Sequence, residues 1–112
     1  MDRSPREPVY FISIAARLVE VHPQTLRMYE REGLIRPARI RRLRLYSEQD
    51  IERVRRIQSY TRMGVNLQGV KMILDLLEKW EQARREVEEL RGKMESEIKR
   101  LRQELERGLV RR

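Results

Sequence analysis

Apolar residues recur at helical spacing in the first third of the chain. Ser13 resembles an N-cap, and the helix of about two turns that it opens has three inward positions: Ile14, Ala15 and Leu18. A break follows at residues 20–22. Pro23 suits the first position of a second helix, whose inward residue is Leu26 and which ends at Gly33. Two short helices joined by a tight break predict a helix-turn-helix motif, whose second helix can enter a major groove.

Residues 39–46 alternate between basic and apolar side chains. With Leu43 and Leu45 on one side and arginines between them, the segment predicts a short ribbon with one apolar and one basic face. A basic ribbon directly after a helix-turn-helix is typical of a wing laid along the phosphate backbone, although an exposed basic loop is the alternative. The apolar residues 9–12 either pair as an edge strand or simply anchor the N-terminal arm.

Two further helices follow the ribbon. The segment from Ser47 to Asp50 resembles a capping box that opens the third helix, because a carboxylate stands three residues after the cap. The inward residues of this helix are Ile51, Val54 and Ile57. Asn66 caps a fourth helix after a break at residues 63–64. The apolar faces of these helices supply most of the available core.

The last third of the chain carries a narrow apolar seam. Its residues are Trp80, Ala83, Val87, Leu90, Met94, Ile98, Leu101 and Leu105. They recur in steps of three and four, which is a heptad pattern with one extra four-residue step near Met94. A helix of about thirty residues with such a seam is marginal alone in water, so we predict a dimerisation coiled coil. A single helix folded back on its own domain is the alternative.

The charge of the chain favours a polyanionic partner. The 112 residues carry a net charge of +8, with 39% charged and 5% aromatic residues, which allows one small aliphatic domain and an extension. Residues 1–46 hold ten basic and five acidic residues, so the excess lies near the N-terminus. Most basic residues are arginine, whose planar fork suits phosphates and guanine edges, although genomic base composition produces the same bias.

Several classes of function are excluded or disfavoured by what the sequence contains. The absence of cysteine excludes disulfides, thiolate metal sites and iron–sulfur clusters, and we expect no cofactor. Residues 1–6 have no apolar segment behind them that would make a signal peptide, and no apolar run approaches the roughly 20 residues that span a bilayer. We therefore expect a cytoplasmic protein without a membrane partner. The single histidine has no nucleophile or carboxylate pair arranged around it, so we expect neither an enzyme nor a metal site.

Four segments together resemble the MerR family of regulators. They are Thr-Leu-Arg-Met-Tyr-Glu at 25–30, Gly-Leu-Ile at 33–35, Arg-Leu-Tyr-Ser at 44–47, and Gly-Val-Asn-Leu-Gln-Gly-Val-Lys at 64–71. The resemblance covers about residues 10–77. It implies a mainly α fold, with a winged helix-turn-helix DNA-binding domain at 1–77 followed by a long dimerisation helix and short tail at 78–112. It further implies an antiparallel coiled coil, a homodimer, and a double-stranded inverted-repeat operator with one subunit on each half.

The resemblance also implies which residues contact DNA. Gln24, Thr25 and Arg27 fall on the recognition helix, with ordinary polar surface as the alternative. Tyr29, Arg44 and Tyr46 fall at positions that contact or brace against the backbone, with core packing as the alternative for both tyrosines. Charge and position add four expected DNA contacts: Arg17, His22, Arg41 and Arg42. For His22 a helix cap is the alternative. The family's usual wing-tip glycine is replaced by two arginines, which leaves the turn geometry open.

Residues 22–27 and 64–67 most resemble the heat-shock repressor branch of the family. That resemblance implies repression of chaperone genes, with the chaperone DnaK as co-repressor. The chain has neither the cysteines of metal- and redox-sensing relatives nor a ligand domain after the coil, so we expect the signal to come from outside. The alternatives are an activator or repressor of another regulon, an architectural winged-helix protein that bends DNA, and a coiled-coil adaptor that binds protein.

Overall fold

A computed structural model describes residues 4–110 of the chain. Residues 1–3 lie outside the described residues; they begin the N-terminal segment for which no signal peptide is expected. Residues 111–112 of the predicted tail lie outside them as well. The elements in chain order are β1 (Tyr10–Phe11), α1 (Ile12–Leu18), α2 (Pro23–Arg31), β2 (Ala38–Ile40), β3 (Leu43–Tyr46), α3 (Glu48–Arg62) and α4 (Leu67–Val110). The chain divides between Met72 and Ile73 into two compact units.

Helix α1 differs from the sequence prediction at its start and on its buried face. It begins at Ile12 with Phe11 as N-cap and no side-chain cap, so the predicted cap at Ser13 is wrong. Ile14 and Leu18, predicted to point inward, are 40% and 43% exposed. The buried face consists of Ala15, Ala16 and Val19. Strand β1 leads directly into the helix, which turns small side chains toward the core and lets neighbouring elements approach closely.

Helix α2 agrees with its prediction at both ends. Pro23 is its first residue, and Leu26 is completely buried. Gly33 follows the helix with a φ of 76°, the left-handed conformation that glycine adopts at least cost. The N–H of Leu34 then donates to the carbonyl oxygen of Tyr29 at 2.9 Å, which satisfies a carbonyl of the last turn. The predicted end of the helix is therefore confirmed.

A tight turn joins α1 to α2 and is held from a third helix. Glu20 has a φ of 58° within this turn, and the N–H of Val21 donates to the carbonyl oxygen of Ala16 at 2.9 Å. The side-chain amide of Gln58, on α3, donates to the carbonyl oxygen of Val19 at 2.7 Å. The angle between the two helices is thus fixed both by local backbone bonds and by α3.

The three strands form an antiparallel sheet in the order β1-β3-β2. Residues 10 and 11 pair with β3, so the interpretation of residues 9–12 as an edge strand is confirmed for Tyr10 and Phe11, whereas Ile12 already belongs to α1. Arg39 lies opposite Arg44, and Ile40 lies opposite Leu43. Because opposite residues share a face, one face of the β2–β3 ribbon is basic and the other is apolar, as predicted. We call this ribbon, residues 38–46, the wing.

The tip of the wing is a two-residue turn made of arginines. Arg41 and Arg42 have φ values of 52° and 72°, both in the left-handed region. Positive φ at both positions defines the type I′ turn, whose twist matches that of the strands and which strongly favours Asn-Gly. Each residue with a Cβ costs roughly 1–2 kcal/mol in this conformation. The turn whose geometry the sequence left open is therefore of type I′, and the two arginines strain its backbone.

Helices α3 and α4 begin at the predicted caps. The hydroxyl oxygen of Ser47 accepts from the N–H of Asp50 at 3.1 Å, and the Asp50 carboxylate accepts from the N–H of Ser47 at 2.9 Å. Both halves of the capping box are present. The side-chain oxygen of Asn66 accepts from the N–H of Gly69 at 2.8 Å. These bonds satisfy N–H groups of the first turns that have no partner within the helix.

The first unit has a small aliphatic core that includes two tyrosines. Its buried apolar residues are Ala15, Ala16, Val19, Leu26, Tyr29, Leu34, Ile35, Tyr46, Ile51, Val54, Ile57 and Val70. The three inward positions predicted on α3 are all among them. A core of this size buries only a modest share of the surface that the unfolded chain exposes.

The second unit, residues 73–110, is helical and exposes its seam. Seven predicted seam residues are 47–66% exposed: Trp80, Val87, Leu90, Met94, Ile98, Leu101 and Leu105. Ala83 is exposed as well. Leu76, four residues before Trp80, is 63% exposed and extends the apolar stripe by one turn. Pairs such as Arg100 with Glu104 at 2.7 Å lie along the helix surface and support it locally.

We predict that replacing the wing-tip arginines by Asn-Gly stabilises the protein. The double variant Arg41→Asn, Arg42→Gly should raise the free energy of unfolding by about 1–2 kcal/mol, because the new residues adopt positive φ more readily. Urea unfolding followed by circular dichroism measures the difference. The control is Arg41→Gln, Arg42→Gln, which removes the same charges and retains the strain. An equal gain in both variants would assign the effect to charge and refute the argument from strain.

Candidate nucleic-acid interface

Helix α2 has a polar outer face opposite its buried residues. Gln24 is exposed, Thr25 and Arg27 are half-buried, and an Arg27 guanidinium nitrogen lies 3.4 Å from the side-chain oxygen of Gln24. Amide and guanidinium groups are the side chains that read adenine and guanine edges in a major groove. Arg31 is exposed on the same face, seven residues after Gln24. Helical spacing could have identified it, but the sequence prediction omitted it.

The ring of His22 caps the start of α2. Its Nδ1 accepts a hydrogen bond from the backbone N–H of Gln24 at 3.0 Å. An accepting Nδ1 places the proton of the neutral ring on Nε2, so the second nitrogen remains a donor at the exposed end of the helix. The helix-cap interpretation of His22 is thus confirmed, while its contact with DNA stays a prediction.

A carboxylate on α2 binds both strands of the wing. One oxygen of Glu30 lies 2.8 Å from the Nη2 atom of Arg39, and the other lies 2.5 Å from the Nε atom of Arg44. The side chain of Glu30 is only 19% exposed. We call these three residues the Glu30 bridge. The sequence prediction did not single out Glu30 as a site residue, and the bridge makes it the contact between the helix and the ribbon.

Electrostatics explains why the Glu30 bridge is needed. Arg39 and Arg44 are directly opposite in the wing, and like charges at such positions destabilise a sheet. The carboxylate between them offsets this repulsion. Burial raises the pKa of Glu30, but the hydrogen bonds from Arg44 and Arg39 outweigh it, so that the pKa is lower than usual. Arg44, a predicted backbone contact, is therefore engaged with Glu30 and is only 27% exposed.

The two tyrosines predicted to contact or brace against the DNA backbone lie in the core. Tyr46 is completely buried, and no described residue gives its hydroxyl a hydrogen-bond partner. Burial, followed by the nearby charge of Glu30, raises the pKa of Tyr46 to about 12. Its ring closes the core beneath the wing, which supports the core-packing alternative, and its contact with the DNA backbone stays a prediction. Tyr29 is 6% exposed, which supports packing, and its contact with DNA stays a prediction.

The remaining predicted contacts are exposed arginines. Arg41 and Arg42 stand at the wing tip, and Arg17 lies in the last turn of α1. Guanidinium groups at these places can approach phosphates without rearrangement of the core. Their role in DNA binding stays a prediction based on charge and position.

Metal and membrane sites were also expected to be absent. Among residues 4–110, no group of three or more histidine, aspartate and glutamate side chains could hold a metal ion. Within the same residues, no helix is both long enough and apolar enough to cross a bilayer.

We predict that Glu30→Gln destabilises the protein at neutral pH but not in acid. The folded-state pKa of Glu30 is below its unfolded value, near 4.5, so its contribution is fully present above that value. It is lost as the pH falls through the folded-state pKa. The variant should lose on the order of 1–2 kcal/mol at neutral pH, since charge-assisted hydrogen bonds are lost. Urea unfolding midpoints measured from neutral pH down to about pH 3 give the comparison.

The control for this prediction is Glu52→Gln. Glu52 pairs with Arg55 at 2.9 Å, but both side chains are at least half exposed, so water screens the pair. This variant should change stability little at any pH. A loss in Glu30→Gln that persists unchanged in acid would contradict the assignment to the carboxylate charge.

A family model matches the part of the chain that contains these elements. Residues 10–77, more than half of the chain, match the MerR HTH family regulatory protein model. A putative heat shock protein HspR of Streptomyces coelicolor is 51% identical over 71 residues, which are 62% of this chain and 47% of the relative. The chain therefore spans about half the length of that relative.

Solved structures of regulators share the fold. PbrR691 from Ralstonia metallidurans CH34, solved in complex with lead(II), has a TM-score of 0.61 and 25% identity, covering 91% of this chain and 83% of that chain. HiNmlR, a MerR family regulator lacking the sensor domain and bound to promoter DNA, has a TM-score of 0.61 and 24% identity, covering 89% and 77%. The predicted mainly helical fold, with a winged helix-turn-helix followed by a long helix, is confirmed. The chain belongs to the MerR family of DNA-binding transcriptional regulators.

Proposed function

We propose that this regulator represses chaperone genes by binding an inverted-repeat operator as a homodimer. The observation that carries the proposal is the 51% identity to HspR over 71 residues. The likeness to the heat-shock repressor branch also suggests DnaK as a co-repressor.

DNA recognition would use two classes of contact, one to base edges and one to phosphates. Gln24, Thr25 and Arg27 on the outer face of α2 would read base edges in the major groove. The proposed phosphate contacts are Arg17, His22, Tyr29, Arg41, Arg42 and Arg44. Phosphate contacts supply most of the affinity and make it depend steeply on salt. The Glu30 bridge supports this division, since it fixes the wing beside the reading helix.

Dimerisation through the seam would bring two such surfaces to one operator. The seam is apolar, continuous and 47–66% exposed at its large residues, which supports burial against a second copy of the chain. We propose that residues 1–77 act as the DNA-binding domain and residues 78–112 as the dimerisation helix and short tail. An antiparallel arrangement of the two helices follows from the family resemblance.

Selection of bound duplexes from a random-sequence library tests the proposed function. The purified chain should enrich an inverted repeat with two fixed half-sites, at salt concentrations between about 50 and 200 mM. Matches to the enriched sequence upstream of chaperone genes would support the proposal that the chain represses these genes. Enrichment elsewhere would identify another regulon. Enrichment of general AT-richness would favour an architectural protein.

The Arg27→Ala variant tests base reading within the same selection. It should retain the spacing of the half-sites and relax the preference at one position in each, with a loss of about 1–3 kcal/mol on the selected site. Binding to random duplex DNA should change far less. Equal losses on selected and random DNA would refute a base-reading role for Arg27.

We predict that a charge in the seam abolishes the dimer. Ile98→Glu places a carboxylate on the apolar stripe and should give a monomer in sedimentation equilibrium. Its affinity for the selected operator should fall by roughly two to four orders of magnitude, because two half-sites are no longer bound together. Gln103→Glu, which adds the same charge to an exposed position on the opposite side of the helix, is the control. A dimeric Ile98→Glu variant would refute the seam as the dimer contact.

A further inference from the structure

The hydroxyl of Tyr46 is a buried donor without a partner among the described residues. Its residue is completely buried, on strand β3 and two positions after Arg44. Native proteins pair nearly all such groups, so an orphaned hydroxyl calls for an explanation. The explanation we consider is that the partner becomes available only in another state of the protein.

The charged groups around the hydroxyl narrow the choice of partner. Arg44 lies two positions before Tyr46 on β3 and therefore on the same face, and its Nε atom is 2.5 Å from Glu30. Asp50 lies close in the chain, in the capping box that directly follows the strand. Only the two carboxylates among them can accept a hydrogen bond. Asp50 is committed to the capping box, where it accepts the N–H of Ser47 at 2.9 Å. Glu30 remains, and its present donors are side chains that can move without breaking a helix cap.

DNA binding would change which side chains donate hydrogen bonds to the Glu30 carboxylate. Arg44 is part of the wing, and a phosphate that approaches its guanidinium competes with the carboxylate for it. Once Arg44 turns to the phosphate, the oxygen that it leaves lies on a side chain only 19% exposed, where water cannot readily replace the lost bond. A second donor within the protein would remove this cost.

We propose that Glu30 exchanges partners when DNA binds: Arg44 passes to a phosphate, and the Tyr46 hydroxyl donates to the carboxylate oxygen that Arg44 leaves. Arg39 retains its bond to the other oxygen, so the wing stays attached to α2 throughout. Tyr46 is then a positioning residue that acts through Glu30 and never touches DNA. The inference rests on the proposed DNA contact by Arg44.

The Tyr46→Phe variant in the full chain tests the exchange, with random-sequence duplex DNA as the probe. The free protein should be as stable as the wild type or more so, because an unpaired hydroxyl is removed. Its affinity for the duplex should fall about tenfold, and the slope of log affinity against log salt should fall by about one, since Arg44 remains with Glu30. A merely structural role for the ring would not move the salt slope.

Two further variants make the test specific. Tyr10→Phe removes the same hydroxyl from the position opposite Tyr46, where it donates to the exposed Glu48, and should leave DNA binding unchanged. In the Glu30→Gln variant the neutral amide gains little from a hydrogen bond donated by the Tyr46 hydroxyl. Adding Tyr46→Phe to this variant should therefore cause no further loss of affinity for duplex DNA. The effect of the hydroxyl should therefore appear only when the carboxylate is present.

The outcomes separate the exchange from the proposed function. A wild-type chain that binds no duplex would overturn both. Wild-type binding with an unchanged affinity and salt slope in Tyr46→Phe would overturn the exchange and leave the DNA-binding role intact. A Tyr46→Phe variant that loses stability and binds DNA normally would also overturn it, because the hydroxyl would then be paired in the free protein.

Discussion

The Glu30 bridge is the interaction on which the arrangement of α2 and the wing depends. Arg39 and Arg44 stand opposite each other across the strands, and they would repel without an intervening negative charge. Because the carboxylate belongs to α2, the contact that stabilises the ribbon also fixes it beside the helix. A groove-reading helix and a backbone-contacting ribbon can bind one duplex together only at a fixed separation. Glu30, an acidic residue near the proposed DNA surface, thus stabilises the arrangement of the arginines around it.

At the wing tip, exposed positive charge comes at a cost in backbone stability. Arg41 and Arg42 occupy left-handed conformations that an Asn-Gly pair would adopt at lower cost. The strands of the wing hold the strained turn in place, because β3 pairs with β1 on one side and with β2 on the other. The Glu30 bridge also contacts the basic face of the ribbon. What the two arginines add is exposed positive charge at the point of the ribbon most remote from the core. Backbone strain of this kind persists where surrounding structure enforces it, and it concentrates at functional sites.

Local features of this fold were predictable, whereas partnerships between distant residues were not. The capping box of α3 involves residues three apart, and helical spacing alone identified its buried face. The cap expected at Ser13 failed because pairing of β1 with β3 carries the chain into α1 two residues earlier. Alternation in the wing indicated two faces but not that Tyr46 turns inward. The partners of Glu30 lie nine and fourteen residues away, and no local pattern marks such a contact.

The two units gain stability in different ways, and this difference bears on regulation. The first unit buries its own aliphatic core, whereas the apolar stripe from Leu76 to Leu105 in the second unit is exposed and lies beside ion pairs along the helix surface. Such pairs contribute about 0.2–0.5 kcal/mol each, far less than the burial of a leucine-rich seam. In the proposed homodimer, the second unit gains most of its stability from burial of this stripe against the partner helix. In the proposed homodimer joint binding of two half-sites multiplies affinity, so a factor that shifts assembly of the seam would also shift occupancy of the operator.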